Sequence, residues 1–435
     1  MNLPTALRYL DTHTNLEATA GRAEGLSLER MARLVHVLGD PQRAYPVIHI
    51  TGTNGKGSVA RMVTRLLQAQ GLSVGTYSSP HMEQINERIQ WDAAPIGDDD
   101  LGEAIGAIAA IEEMSGVVPS YFEILTAAAF RWFAEVAVDV AVVEVGMLGR
   151  WDATNVADAT VALCTNVGRD HTDGADGWRQ AIATEKAGIV KADVTEVLVL
   201  GETDPVLQSV FAAAGAIETW RRDVDFGAAA DRVAVGGRLV DIRTPGALHE
   251  EVYVPVHGAH QADNAAVAVA AAEAFLGRPQ AEEVVEEAFA ELTLPGRFEV
   301  VGRHPTVVVD AAHNPEGAAA TAATLAEDMT LPGSVLMVVG LLAGRDPVEL
   351  LAALGAADAG LLVVCAPASP RAMPTAKVAA AAERLGAVVE VVPDPVEALR
   401  RALAVATEDD LVLIAGSLYV AGPVRAALRE MEVSA

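Results

Sequence analysis

The sequence predicts an α/β protein in two parts: an N-terminal domain on a mostly parallel sheet with a small antiparallel ribbon, and a C-terminal Rossmann-like α/β domain. Three observations carry that prediction. Short β-branched runs alternate with longer Ala-rich stretches of helical periodicity, the βαβ pattern of a covered parallel sheet. Hydrophobic residues make up 51% of the chain but aromatic ones only 4%, so the interior is mostly Ala, Val and Leu, as suits helices packed on parallel strands. A turn signal at Leu294-Pro295-Gly296 separates two such series, which sets the domains at 1–295 and 296–435.

In chain order, residues 47–50, 73–77, 138–145, 160–165 and 197–200 read as buried strands, and 58–70, 121–136 and 178–190 as the helices between them. Residues 224–256 change to short alternating runs broken at Gly236-Gly237 and Pro245-Gly246, which reads as the antiparallel ribbon, and a helix follows over about 261–275. Beyond the boundary, strands at 306–310, 335–340, 361–365, 388–392 and 411–415 alternate with helices. No Gly-x-Gly-x-x-Gly follows the first of them, so the second domain lacks a dinucleotide fingerprint.

Charge and cysteine usage exclude several classes. With 31 basic against 59 acidic residues the net charge is −28, a poor partner for nucleic acid or an anionic membrane surface. An anionic ligand must then be held locally, by backbone amides at a helix start, a few placed Lys or Arg, or a divalent metal. Cys164 and Cys365 lie far apart inside apolar runs and suggest neither a disulfide framework nor a zinc site. The first dozen residues lack the plan of a signal peptide and no apolar run is long enough to span a bilayer, so a cytoplasmic setting is expected.

The strongest chemical signal is the strand–loop–helix at 47–70. Its turn, Gly52-Thr53-Asn54-Gly55-Lys56-Gly57-Ser58, has the glycines that let backbone N–H groups approach a triphosphate; Lys56 is placed for the β and γ oxygens, and Ser58 for magnesium. This makes the N-terminal domain P-loop ATPase-like. Two details depart from the common Gly-x-x-x-x-Gly-Lys-[Ser/Thr] form: Ile50 stands at the first glycine position, and Gly57 separates Lys56 from Ser58.

The Thr-Gly-Thr-Asn-Gly-Lys-Gly-Ser form resembles that of folate-type Mur ligases. So do Tyr77-Ser78-Ser79-Pro80-His81, Asn86-Glu87-Arg88, Glu144-Val145-Gly146, Asp152-Ala153-Thr154-Asn155, Asp170-His171-Thr172-Asp173 and Glu185-Lys186-Ala187-Gly188-Ile189. Past the ribbon the likeness continues at His260-Gln261-x-x-Asn264, Pro295-Gly296-Arg297-Phe298-Glu299, Asp310-Ala311-Ala312-His313-Asn314-Pro315, Ser369-Pro370-Arg371-Ala372 and Gly416-Ser417-Leu418-Tyr419. Over nearly its whole length the chain resembles the dihydrofolate synthase/folylpolyglutamate synthase family of the Mur ligase superfamily. The resemblance implies ATP and Mg2+ as cofactors, and L-glutamate with a folate or pteroate as substrates. It leaves open whether dihydropteroate, tetrahydrofolate or both are accepted. A monomer is expected.

Phosphorylating a carboxylate crowds anionic oxygens together and calls for magnesium and cations. Glu144 ends a buried strand at the sheet's carboxyl edge, where a metal ligand belongs in an open α/β sheet. By resemblance, His171 is a ligand of a second magnesium, Lys186 becomes an acidic ligand if its amine is carbamylated, and Ser79 holds the first magnesium; an ordinary phosphate-facing or solvated lysine and a plain turn serine are the alternatives for the last two. By resemblance again, Asn264, Arg297 and Asp310 face the nucleotide, His313 faces ATP and the incoming glutamate, and Ser417 and Tyr419 stand at the glutamate end. Arg88 is a candidate for an anionic substrate group, with a surface salt bridge as its alternative. His49 and the five tryptophans read as packing residues, and Asp98-Asp99-Asp100 as a solvated helix start.

Two positions depart from the family pattern. Leu148 stands in Gly146-Met147-Leu148-Gly149-Arg150 where a second glycine is usual, and Gly174-Ala175-Asp176 follows the Asp-His-Thr-Asp stretch. Leu148 is expected to narrow the substrate pocket. The competing functions are a peptidoglycan-precursor ligase and a nucleotide-binding regulator without catalysis; retention of Lys56, Glu144, His171 and Lys186 argues against the second.

Overall fold

The computed structural model describes residues 1–15, 17, 27–169, 176–330 and 333–433. The N-terminal sheet contains β1 (Val47–Thr51), β2 (Val74–Tyr77), β3 (Ile89–Trp91), β4 (Ala94–Pro95), β5 (Val140–Glu144), β6 (Ala159–Cys164), β7 (Val197–Leu200) and β8 (Glu218–Arg221). Their spatial order is β4-β3-β2-β5-β1-β6-β7-β8. From β2 to β8 the pairing is parallel, as expected for β2, β5, β1, β6 and β7, whereas β8 is a strand the sequence does not announce. The β3–β4 hairpin adds an antiparallel edge that the sequence reading lacks, because elements of three and two residues show no periodicity.

β1 is buried along its whole length because its alternate side chains enter two cores. Ile48 and Ile50 meet Val59, Val63 and the alanines of helix Ala259–Leu276 on one face. Val47 lies on the other with Ala141, Val143, Phe130 and Phe133. Small side chains let helix Ala259–Leu276 pack closely over helix Lys56–Ala69, which carries the loop lysine. The tryptophans divide: Trp132 is buried and Trp91, 41% exposed, packs edge-on against it with ring centroids 6.5 Å apart, whereas Trp151 is 43% exposed.

The ribbon is present as β9 (Gly227–Ala234), β10 (Gly237–Arg243) and β11 (Leu248–Val254), all antiparallel. The C-terminal sheet has β12 (Glu299–Arg303), β13 (Thr306–Val309), β14 (Val335–Val339), β15 (Leu361–Val364), β16 (Val389–Val391) and β17 (Leu411–Ala415), in the order β12-β13-β17-β14-β15-β16. It is parallel except for β12, a strand absent from the sequence reading. Arg238 of β10 pairs with Asp328 at the end of helix Pro315–Asp328, and Arg425 of the last helix pairs with Glu299 and Glu83, so charged contacts join the two sheets' layers. No described helix is long and apolar enough to cross a membrane.

Candidate active site

The loop after β1 is held from both sides. Gly52 has φ 150° and a Cβ there would lie 1.8 Å from Thr165 Oγ1; Gly55 has φ 82° and its Cβ would lie 2.6 Å from Asn264 Oδ1. Only glycine fits either position. Thr165 Oγ1 and Asn166 Nδ2 donate to the Asn54 carbonyl at 2.6 and 3.1 Å, and Thr53 N donates to the Asn166 carbonyl at 3.1 Å. Lys56 Nζ folds back onto the Gly52 and Thr53 carbonyls at 3.2 and 3.3 Å, which holds the ammonium inside the loop's curve. Gly55 begins helix Lys56–Ala69 with no side-chain cap, leaving the first amides for an anion.

Register places Glu144 beside Ile50, at the mouth of this loop. Its carboxylate is buried and accepts from Ser79 N at 3.3 Å; a Cβ on Gly57 would stand 3.5 Å from its Oε2. Burial raises its pKa, opposed by Lys56, the Ser79 amide, Arg297 and Arg61. Ser58, Ser79, Glu144 and Arg297 line one cleft. Their hard oxygens suit magnesium. Among the described residues no three His, Cys, Asp or Glu side chains are placed to hold a metal together.

His171, with Gly174 and Ala175 after it, lies outside the described residues. Lys186 is 3% exposed near the end of helix Trp178–Ala187, which removes the solvated alternative. Leu148 adopts φ 60° and packs with Ile182 and Ile189 beneath that helix. Its side chain thus contributes to that core.

The C-terminal residues divide. Asn264 sits against Gly55 and donates to Gln261 at 2.9 Å, and Arg297 lines the Glu144 cleft. Asp310 is committed to structure: it accepts from Phe298 N at 2.8 Å, Ala312 N at 2.7 Å and Thr321 Oγ1 at 3.1 Å, bracketing the turn into the C-terminal sheet. His313 contacts the Ala311 carbonyl through Nδ1 at 3.0 Å. Ser417 is buried at the start of helix Leu418–Val433, where its Oγ accepts from Tyr419 N at 3.2 Å, a local capping role.

Arg88 loses its surface alternative. It is buried, not a surface residue, and its guanidinium already binds the Glu17 carboxylate at 3.0 and 2.6 Å and donates to His81 Nδ1 at 2.9 Å. Burial, then the Arg88 charge, lower the His81 pKa to about 4. Arg371 reaches the Glu17 carbonyl at 3.1 Å, and the charges of Glu17, Arg88 and Arg371 all act on Tyr419. The anionic candidate therefore sits in a cluster fed by both sheets' layers.

Two residues escaped the sequence reading. Asn314 caps helix Pro315–Asp328 through Gly317 N and donates Nδ2 to Asn54 Oδ1 at 2.8 Å, tying the phosphate loop to the C-terminal layer. Arg61, one helical turn beyond Gly57, lines the Glu144 cleft. The Asn-Pro helix start signalled Asn314 as a cap, but nothing in the sequence signalled its reach.

Residues 50–272 match the Mur ligase middle domain, and residues 296–418 the Mur ligase glutamate ligase domain. The Mycobacterium tuberculosis dihydrofolate synthase/folylpolyglutamate synthase is 40% identical across 92% of this chain and 89% of its own length. This chain belongs to the dihydrofolate synthase/folylpolyglutamate synthase family of Mur ligases. The Lacticaseibacillus casei folylpolyglutamate synthase is 32% identical across 98% of this chain and 99% of its own. Among solved members of the family, the Mycobacterium tuberculosis folylpolyglutamate synthase with ADP and AMPPCP superposes with a TM-score of 0.90 at 38% identity, covering 98% of each chain. A bifunctional enzyme holding Mn, AMPPNP and L-glutamate gives 0.85 at 30% identity, covering 99% of this chain and 98% of its own.

Proposed function

We infer that this chain is an ATP-dependent ligase that joins L-glutamate to a folate-type carboxylate through an acyl phosphate, releasing ADP and phosphate. The observation that carries the reading is the placement of the buried Glu144 carboxylate against Gly57 and the Ser79 amide, at the mouth of a loop whose lysine turns inward. That arrangement serves metal-assisted phosphoryl transfer rather than proton transfer.

In this reading the loop amides and Lys56 orient the triphosphate. Ser58, Ser79 and Glu144 would hold a magnesium ion, which when bound would neutralise charge on the phosphate oxygens. His171 and a carbamylated Lys186 complete the metal set. Carbamylation would turn the buried Lys186 from a cation into an anionic oxygen ligand for that ion. Asn264 and Arg297 face the nucleotide. Asp310 holds the turn that carries His313 towards the cleft, and Tyr419 and Arg88 face the glutamate end. The division after residue 295, a monomeric state and a cytoplasmic setting belong to the same proposal.

The decisive measurement is ADP release with L-glutamate plus dihydropteroate, plus reduced folates, or plus muropeptide precursors. Glutamate-dependent turnover with one of the first two acceptors is expected; turnover without glutamate, or with muropeptides alone, overturns the reading. Lys56→Ala and Glu144→Gln are each expected to lower kcat by about 100-fold or more with folding intact. Bicarbonate depletion is expected to reduce activity reversibly, and an unaltered rate removes the carbamate from the scheme.

A further inference from the structure

The other buried arginines are each matched by acids: Arg88 holds Glu17, Arg238 holds Asp231 and Asp328, and Arg425 holds Glu299 and Glu83. Arg61 is different. It is half-buried, yet makes no ion pair or hydrogen bond among the described residues. The nearest acids are charge neighbours already occupied elsewhere: Glu87 accepts from the Met82, Glu83 and Gln84 amides, and Glu144 from Ser79. Burial holds its guanidinium below the usual arginine range, with Glu87 and Glu144 opposing and Arg297 and Arg425 adding to that effect. An unmatched cation held out of water costs stability and gives no structural return.

Its position indicates what it awaits. Arg61 shares a helix face with Gly57 and Ser58, one turn farther from the phosphate loop, and lines the cleft that holds Glu144 and Arg297. The same cleft has apolar walls at Pro80, Met82, Leu294 and Leu418. A cation beyond Glu144 with apolar surface around it fits the carboxylate of an aromatic or amphipathic acid rather than the tail of ATP.

We propose that Arg61 is a catalytic residue that binds the acceptor carboxylate and then the acyl phosphate formed from it, an assignment that rests on the ligase reading above. A carboxylate oxygen forms the bond to the γ phosphorus while the bond from that phosphorus to ADP breaks, its electron pair leaving on ADP. The glutamate amine then attacks the acyl carbon, the bond to phosphate breaks, and the amine proton passes to phosphate or water. Arg61 transfers no proton in either step. It keeps a fixed positive charge beside oxygens that stay anionic throughout.

The test uses full-length Arg61→Met and Arg61→Lys. Arg61→Met is expected to lose about 100-fold or more in kcat, to raise KM for the folate acceptor, to leave KM for ATP within about twofold, and to melt no lower than wild type. Added guanidinium at millimolar concentration is expected to restore part of the Met variant's rate, and Lys to retain more activity than Met. Arg61→Met with wild-type turnover overturns the assignment. So does a lowered melting temperature with ATP and acceptor KM raised together and no rescue, since that is the pattern of a structural role. Wild type that turns over no folate acceptor overturns the underlying reading instead.

Discussion

His81 shows how one side chain's environment sets a pH response. Its Nδ1 accepts from Arg88 Nε, so protonating it removes that bond and adds a cation to a buried one. With a folded pKa of about 4 against 6.5 unfolded, the native state binds fewer protons in between. Stability is therefore fully present above pH 6.5 and is lost as pH falls towards 4, by on the order of 3 kcal/mol. His81→Gln keeps an acceptor without the titration, and urea midpoints measured across that range are expected to flatten. Leu148→Gly trades relief of a left-handed backbone against lost packing on Ile182 and Ile189, so a change within about 1 kcal/mol is expected. If Leu148 narrows the substrate pocket, the ratio of rates with dihydropteroate and reduced folates is expected to shift; an unchanged ratio would leave it a packing role alone. The loop residues 52–58 were legible because their chemistry is local. Arg61 and Arg88 were not, since whether an arginine is matched, and by which acid, depends on side chains distant in sequence.

At the level of elements, the start of helix Pro315–Asp328 does more than begin a helix. Asn314→Ser preserves the cap but cannot reach Asn54. Loss of about 1 kcal/mol of hydrogen bonding predicts a rise of about fivefold in KM for ATP, with the melting temperature nearly unchanged; an unmoved KM removes Asn314 from nucleotide binding. At the other end, Arg238→Leu leaves the Asp328 side chain, fully buried in the structure, without its arginine. A cost of about 3–5 kcal/mol is expected in urea unfolding, much of it recovered in Arg238→Leu/Asp328→Leu. The central strands and the helices between them were visible as periodicity, whereas β3, β4, β8 and β12 were not. These edge elements are too short or too exposed to alternate cleanly, and pairing with a neighbour defines them.

For the whole molecule, the charge of −28 places many like charges on one surface. Salt screens their repulsion over about 10 Å at 0.1 M. The melting temperature is accordingly expected to rise between low salt and roughly 0.5 M sodium chloride; a flat or falling curve would mean that surface ion pairs outweigh the repulsion. The overall α/β layering was readable from composition and pattern, but the joining of the layers through Arg238, Arg425 and Asn314 was not, because each contact spans distant parts of the chain.

The Asn54 to Asn314 bond closes a separation of 260 residues. On the ribosome, the early loop must wait until most of the remaining chain has emerged before its amide is held. Synthesis thus imposes a delay: β1 and its partner strands can assemble while the loop's far anchor is still untranslated. Chains stalled before residue 314 are expected to retain an ATP analogue less well than chains stalled near the end, so nucleotide capture becomes a late event in the life of the nascent protein.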